Sequence, residues 1–324
     1  MIQENELNYT QFVNYKVKAQ FEKYDKSVIF GQNIVAGSRI SGLGSGLDNL
    51  SGATAINSTN SENSLMGMGF GLSLSGIPSL FLMKQHDFAL LGLDQLINTN
   101  NVLRNGRLKS PFIILMVIVD SGFEGPQASL NSLDEFASLT KASVHFLSTM
   151  ESIDTAFEHS ESPGLHFLAL SQLNMKRKVL EATSPVFKTS SAIQYKSQKP
   201  TQSQRSITVI IYGVEIGIGI EVIKTLEMAG LSVDLFVIHE LSNGIVTKEF
   251  IKVLQNYDEV VIIDTGKSDI HFSSDLTIAL LSRGQKVHQF QRISSPVWSE
   301  VSSDLPEFSA EKICTRILQE PLTP

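Results

Sequence analysis

Residues 112–119 read Phe-Ile-Ile-Leu-Met-Val-Ile-Val without a single polar interruption. A strand with one wet face alternates apolar and polar side chains, so an unbroken run of this kind needs cover on both faces. That requirement points to a parallel sheet between helical layers. The neighbouring segments agree with it. Helix-like runs at 10–23, 46–49, 62–75, 88–102 and near 151–160 alternate with strand-like runs at 28–30, 54–56, 79–83, 144–147 and 165–170. Alternation of this type implies parallel pairing in a layered α/β sandwich. Residues 184–205 are rich in Ser, Thr, Gln and Pro with few apolar anchors, and read as a linker. A second alternating series follows, with strands at 207–212, 233–238, 260–263 and 287–290 and helices at 217–229, 247–255 and 274–283. The expected fold is therefore two three-layer α/β/α sandwich domains with mainly parallel sheets, at 1–183 and 206–324.

Composition narrows the function classes. A net charge of −7 without a basic stripe argues against a nucleic-acid partner. Cys314 is the only cysteine, so neither an internal disulfide nor a cysteine-based zinc cluster can form. The seven histidines show no metal-ligand spacing, and no metal site is expected on this chain. The first residues lack a basic region followed by an apolar run, which makes cytoplasmic the default expectation. Leu65 to Met83 is uncharged and about long enough to span a bilayer. Its spaced glycines and the turn Ser75-Gly76-Ile77-Pro78 fit a buried helix, a turn and a buried strand better, so no membrane association is expected.

Several glycine motifs carry little. Gly217-Ile218-Gly219 follows a strand, but Val222 stands where a dinucleotide fingerprint wants Gly or Ala, which favours a tight strand-to-helix turn. Gly42-Leu43-Gly44-Ser45-Gly46 and Asp264-Thr265-Gly266-Lys267-Ser268 are incomplete as phosphate loops. No Gly-x-Ser-x-Gly elbow is present. More informative is Ser61-Glu62 leading into Met66-Gly67-Met68-Gly69-Phe70-Gly71. Ser61 is placed to cap the helix, and Glu62 complements its dipole. Gly67 and Gly71 share a face and would admit a close backbone. The strand 79–83 then runs into Lys84, His86 and Phe88. Glu62 and Phe88 can thus sit as a buried carboxylate and an aromatic platform at one edge of a sheet.

These residues resemble a known family. The Ser-Glu-x-x-x-x-Gly-x-Gly-x-Gly pattern at 61–71, with Phe88 and Asp94-Gln95-Leu96-Ile97-Asn98, is similar to the beta subunit of the pyruvate dehydrogenase-type 2-oxo acid dehydrogenases and to the pyrimidine-binding domain of transketolases. Residues 206–324 resemble the transketolase C-terminal domain. The resemblance implies a thiamine diphosphate enzyme that breaks or forms a carbon–carbon bond beside a carbonyl, by 2-oxo acid decarboxylation or by ketol or acyl transfer. Glu62 would then hydrogen-bond the aminopyrimidine and favour its imino tautomer, and Phe88 would stack on the ring. The family's Gly-Asp-Gly motif is absent from this sequence. The resemblance therefore implies that Mg2+ and the diphosphate are held by an alpha-type partner, within an alpha–beta heterotetramer, with a lipoyl carrier as one acceptor.

The sequence also departs from the family. The loop that should carry a histidine reads Glu124-Gly125-Pro126-Gln127-Ala128-Ser129-Leu130-Asn131, with Ala128 or Leu130 in its place according to the alignment chosen. Substrate recognition is expected to rest instead on Lys84, His86 and Gln127, with His86 also a catalytic candidate. Two alternatives remain open: a non-catalytic scaffold or regulatory subunit that keeps the fold, and an unrelated α/β nucleotide-binding oxidoreductase.

Overall fold

A computed structural model describes residues 6–120, 133–175, 177–178, 187–188, 191–197, 205–241, 247–266, 271, 273–291 and 309–319. They form two compact units. The first takes residues 6–120 and 136–178, and the second takes 133–135 and the described residues from 187 onward.

The first unit is built from α1 (Tyr9–Phe21), β1 (Ser27–Gly31), β2 (Ala53–Asn57), α2 (Glu62–Leu74), β3 (Ser79–Met83), α3 (Leu93–Leu103), β4 (Pro111–Ile118), α4 (Leu133–Thr140, from Phe136), β5 (Ser143–Leu147), α5 (Met150–His159) and β6 (Gly164–Ser171). A 3-10 turn at Leu47–Asn49 precedes β2, and a longer 3-10 segment, His86–Gly92, leads into α3. The strands lie in the order β5-β6-β4-β3-β1-β2, all parallel. Every residue of β4 is buried, as the apolar run demands. Its alternate residues Ile113, Leu115 and Val117 join Phe12, Val17 and Phe21 of α1 and Ile153 and Phe157 of α5 in one core. The opposite face is aromatic: Phe112 stacks with Phe30 at 6.4 Å and meets Phe70 of α2 edge-on at 5.3 Å. Each large apolar side chain so buried contributes on the order of 1.5–3 kcal/mol, which makes this two-sided core the main stabiliser of the unit. Helix α1 is fixed in position by a capping box, with Gln11 N donating to Asn8 Oδ1 and Asn8 N to Gln11 Oε1, both at 2.9 Å.

Two local expectations change. Ser61 makes no capping bond; its hydroxyl donates to Ser64 Oγ instead. The close approach along α2 is made at Gly69, not on the Gly67/Gly71 face. A Cβ on Gly69 would lie 2.2 Å from the Phe112 ring, whereas nothing comes within 4 Å at Gly71. The reason is the ring stack: α2 can lie on β4 only where the Phe112 ring finds bare backbone.

The second unit contains β7 (Phe187–Lys188), β8 (Ala192–Tyr195), β9 (Ser206–Tyr212), α6 (Gly217–Met228), β10 (Ser232–Ile238), β11 (Glu240–Leu241), α7 (Lys248–Leu254), β12 (Glu259–Asp264), α8 (Ser273–Leu281), β13 (Lys286–Gln291) and α9 (Ala310–Gln319). Its sheet runs β13-β12-β9-β10-β8-β7, with the first four strands parallel and β8 and β7 antiparallel. Residues 187–188 and 192–195 thus form two antiparallel strands, with β7 at the edge of the sheet, where the sequence suggests only a linker. Ile193 is fully buried, and the backbone of β8 pairs with Leu235 to Ile238. Ile211 and Val237 are register partners and share one face; α6 packs there, with a Cβ on Gly219 falling 1.8 Å from Ile211 Cδ1. Phe236 points to the other face and meets Phe250 of α7 at 5.5 Å. Helices cover both faces of both sheets, and each unit is a three-layer α/β sandwich with a mainly parallel sheet. Among the described residues no helix is long and apolar enough to cross a membrane. Leu65 to Met83 instead forms α2, a turn and β3.

Candidate functional site

In the first unit, β1 is flanked by β2 on one side and β3 on the other, so the chain reverses its direction of travel across the sheet there. Open parallel sheets bind ligands outside the carboxyl ends of their strands at such a point. Four residues follow the strands that meet at this edge: Gln32 just after β1, Glu62 after β2, and His86 and Phe88 after β3.

The loops that carry them are locked together by the backbone. Gly31 ends β1 at φ +151°, and a Cβ there would lie 2.3 Å from the Leu82 carbonyl oxygen of β3. Only glycine permits that approach. Asn57 closes β2, and its Oδ1 accepts from Ile34 N at 2.9 Å and Val35 N at 3.1 Å. Ser58 N donates to Gly31 O at 2.9 Å. The turns after β1 and β2 are therefore one cross-linked unit.

Glu62 opens α2 and is 7% exposed. Its Oε1 accepts from Gln32 Nε2 at 3.3 Å, and no other side-chain hydrogen bond reaches this carboxylate among the described residues. A buried carboxylate with an oxygen left over can accept an N–H from a ligand. The 3-10 segment bearing Phe88 is seated on the same turn of α2. A Cβ on Gly92 would come within 2.7 Å of Met66 Cγ and 3.3 Å of the Glu62 carbonyl oxygen. Phe88 itself is half-buried. An acceptor and an aromatic ring on abutting elements suit a flat nitrogen heterocycle, which needs hydrogen bonds at its rim and an apolar surface at its face. Glu62 and Phe88 would hold that ring.

The other sequence candidates fall out differently. Lys84 is exposed. His86 is fully buried; its Nδ1 lies 3.5 Å from Asp87 Oδ2, and its ring meets Phe136 edge-on at 6.0 Å. Gln127, with Ala128 and Leu130, lies outside the described residues. Sequence reasoning missed Gln32, the partner of Glu62. Its signal was available, because it directly follows a glycine at the carboxyl end of a parallel strand. Asp120 was missed as well. It follows β4, is buried, and accepts from Ser171 Oγ and from Leu173 N at 3.1 Å.

The second unit answers the dinucleotide alternative. The N-terminus of α6 is where a pyrophosphate would bind. Here Glu215 Oε1 accepts from Gly217 N at 2.6 Å, so the chain's own carboxylate fills that place. Gly219 serves instead to let α6 settle on Ile211.

No protein-family model matches the chain, and no curated protein matches it. Solved structures do. "Split gene transketolase, inactive beta4 tetramer" is similar at TM-score 0.66 and 13% identity, covering 94% of this chain and 95% of that one. Transketolase from Campylobacter jejuni subsp. jejuni is similar at TM-score 0.63 and 14% identity, covering 96% of this chain and 46% of its own. A transketolase variant from Pichia stipitis is similar at TM-score 0.61 and 17% identity, covering 90% of this chain and 42% of its own. The chain therefore spans under half the length of these two transketolases and nearly all of the split-gene chain. At such identities the likeness is one of architecture, and the chain has a transketolase-like fold.

Proposed function

We propose that this chain is the beta-type subunit of a heteromeric thiamine diphosphate enzyme and supplies the pyrimidine-binding half of its site. The observation that carries the reading is Glu62: a buried carboxylate opening a helix at the switch point of a parallel sheet, with the Phe88 segment seated on the same turn. The cofactor, when bound, supplies the electron sink for cleavage or formation of a carbon–carbon bond beside a carbonyl. Glu62 accepts a ring N–H and holds that proton at its carboxylate oxygen. Gln32 keeps the carboxylate turned toward the ligand. Phe88 covers the ring face and excludes water.

The rest of the site belongs to a partner. Gly-Asp-Gly is missing from the sequence, so Mg2+ and the diphosphate are assigned to an alpha-type subunit, in a heterotetramer. The similar split-gene transketolase chain, described as an inactive beta4 tetramer, has nearly the same extent. That match favours ketol transfer over 2-oxo acid decarboxylation and its lipoyl acceptor.

The test is co-expression with a Gly-Asp-Gly-bearing partner, followed by thiamine diphosphate titration and turnover measurements. Binding should require the complex, and Glu62→Gln should lower turnover by about 10²–10⁴-fold while the complex stays assembled. Undiminished turnover in Glu62→Gln, or full activity of the lone chain, overturns the reading.

A further inference from the structure

The second unit has its own switch point. Strand β9 lies between β10 and β12, and the chain leaves β10 to cross to the far side of β9. Tyr212 ends β9 and Asp264 ends β12; they are register partners and so point to the same face. His271 comes in beside them, with Nδ1 3.1 Å from Asp264 Oδ2. Asp134 completes the group: one ligand atom from each of Asp134, Asp264 and His271 lies within 4.8 Å of the others.

We propose that Asp134, Asp264 and His271 bind a divalent first-row transition ion, with Zn2+ the best fit, at the carboxyl end of the second sheet. Ligand atoms on one such ion, at about 2.0–2.2 Å from it, lie roughly 3–3.5 Å apart, the spacing that Asp264 and His271 already have. One imidazole with two carboxylates is a borderline donor set; Mg2+ and Ca2+ prefer oxygen alone. Asp264 and His271 are buried and Asp134 is half-buried.

Two further observations point to a ligand. Among the described residues the buried Tyr212 hydroxyl has no hydrogen-bond partner, and it shares a sheet face with Asp264. An orphaned phenol at this spot is placed to donate to a metal-bound water or carboxylate. The carboxylate of Asp264 is also pre-oriented from behind. Gly266 N donates to Oδ1 at 2.9 Å and Ser273 Oγ donates to Oδ2. Supporting bonds of this kind are what aim a metal ligand. Gly266 leaves room in front, since a Cβ there would sit 3.0 Å from Asp264 Oδ1 and 3.5 Å from His271 Nδ1.

The experiment uses the full chain after chelator treatment. Zn2+ titration by calorimetry should give one site per chain, and substitution with Co2+ should give a visible absorption band of a nitrogen- and oxygen-ligated ion. His271→Gln and Asp134→Asn should each weaken Zn2+ binding about 10–100-fold and remove or shift that band. Asp134→Asn changes a half-buried position and is the variant to rely on if His271→Gln fails to fold. No Co2+ band in the wild-type chain, or Zn2+ binding unchanged in both variants, leaves a structural His–Asp pair only and overturns the proposal.

Discussion

Gln32 Nε2 donates to Glu62 Oε1 across 3.3 Å, and in doing so it ties the turn after β1 to the first residue of α2. The bond joins two strand ends that are neighbours in the sheet, and it sets the direction of the carboxylate proposed to act on the cofactor. Removing it with Gln32→Ala should leave stability within about 1 kcal/mol, because the loop stays fixed by Asn57. Turnover of the assembled complex should fall roughly 10-fold, the effect of losing one hydrogen bond to a charged group. Steady-state kinetics beside a urea melt separates the two; a large stability loss with normal specific activity would contradict the role.

Glycines on α2 should respond in opposite directions. Gly69→Ala drives a methyl into the Phe112 ring, which Phe70 and Phe30 hold in place, and should cost about 1–3 kcal/mol. Gly71→Ala meets open space inside a helix and should stabilise by up to about 1 kcal/mol. Denaturant midpoints of the two variants check both signs.

Glu215 caps α6 from inside the chain. Glu215→Ala should destabilise the second unit by about 1–2 kcal/mol through the lost cap and the lost charge at the helix N-terminus. NADH titrated into the wild-type chain should give no saturable fluorescence change, because the anion position is already filled.

Acid sensitivity should trace to Glu259. Burial raises its pKa, but hydrogen bonds from Arg205 and His288 and the charges of Arg205 and Lys286 more than offset this and hold it below 4.5. A carboxyl depressed in the folded state contributes stability that is complete above its unfolded value. That contribution is lost as pH falls from 4.5 through the folded value. Arg205→Ala removes a partner from a buried charge and should cost about 3 kcal/mol near neutral pH. The variant's stability should then decline less steeply below that point than the wild type's, as acid titrations of unfolding free energy would show.

The alternation of elements was legible because periodicity is local. The run at 112–119 announces a doubly covered strand, and β4 is one. Glu62 and Phe88 could be placed at strand ends for the same reason. The histidine His86 could not be assigned an environment, since its burial against Phe136 and Asp87 depends on residues far along the chain or on the turn it enters. Likewise β8 looks like a polar linker, because it is held by backbone pairing with β10 and β7 rather than by a hydrophobic pattern of its own.

By itself the sequence determined most of the alternating strands and helices and the two-sided burial of β4, because burial has to follow the periods of the backbone. Only the tertiary structure decided the order of the strands. That order brings Gln32, Glu62 and the Phe88 segment to one edge, and Tyr212, Asp264 and His271 to another. It rests on packing between residues distant in the chain: Gly69 against Phe112, Gly92 against Met66, and Gly219 against Ile211. No local pattern encodes contacts of that range.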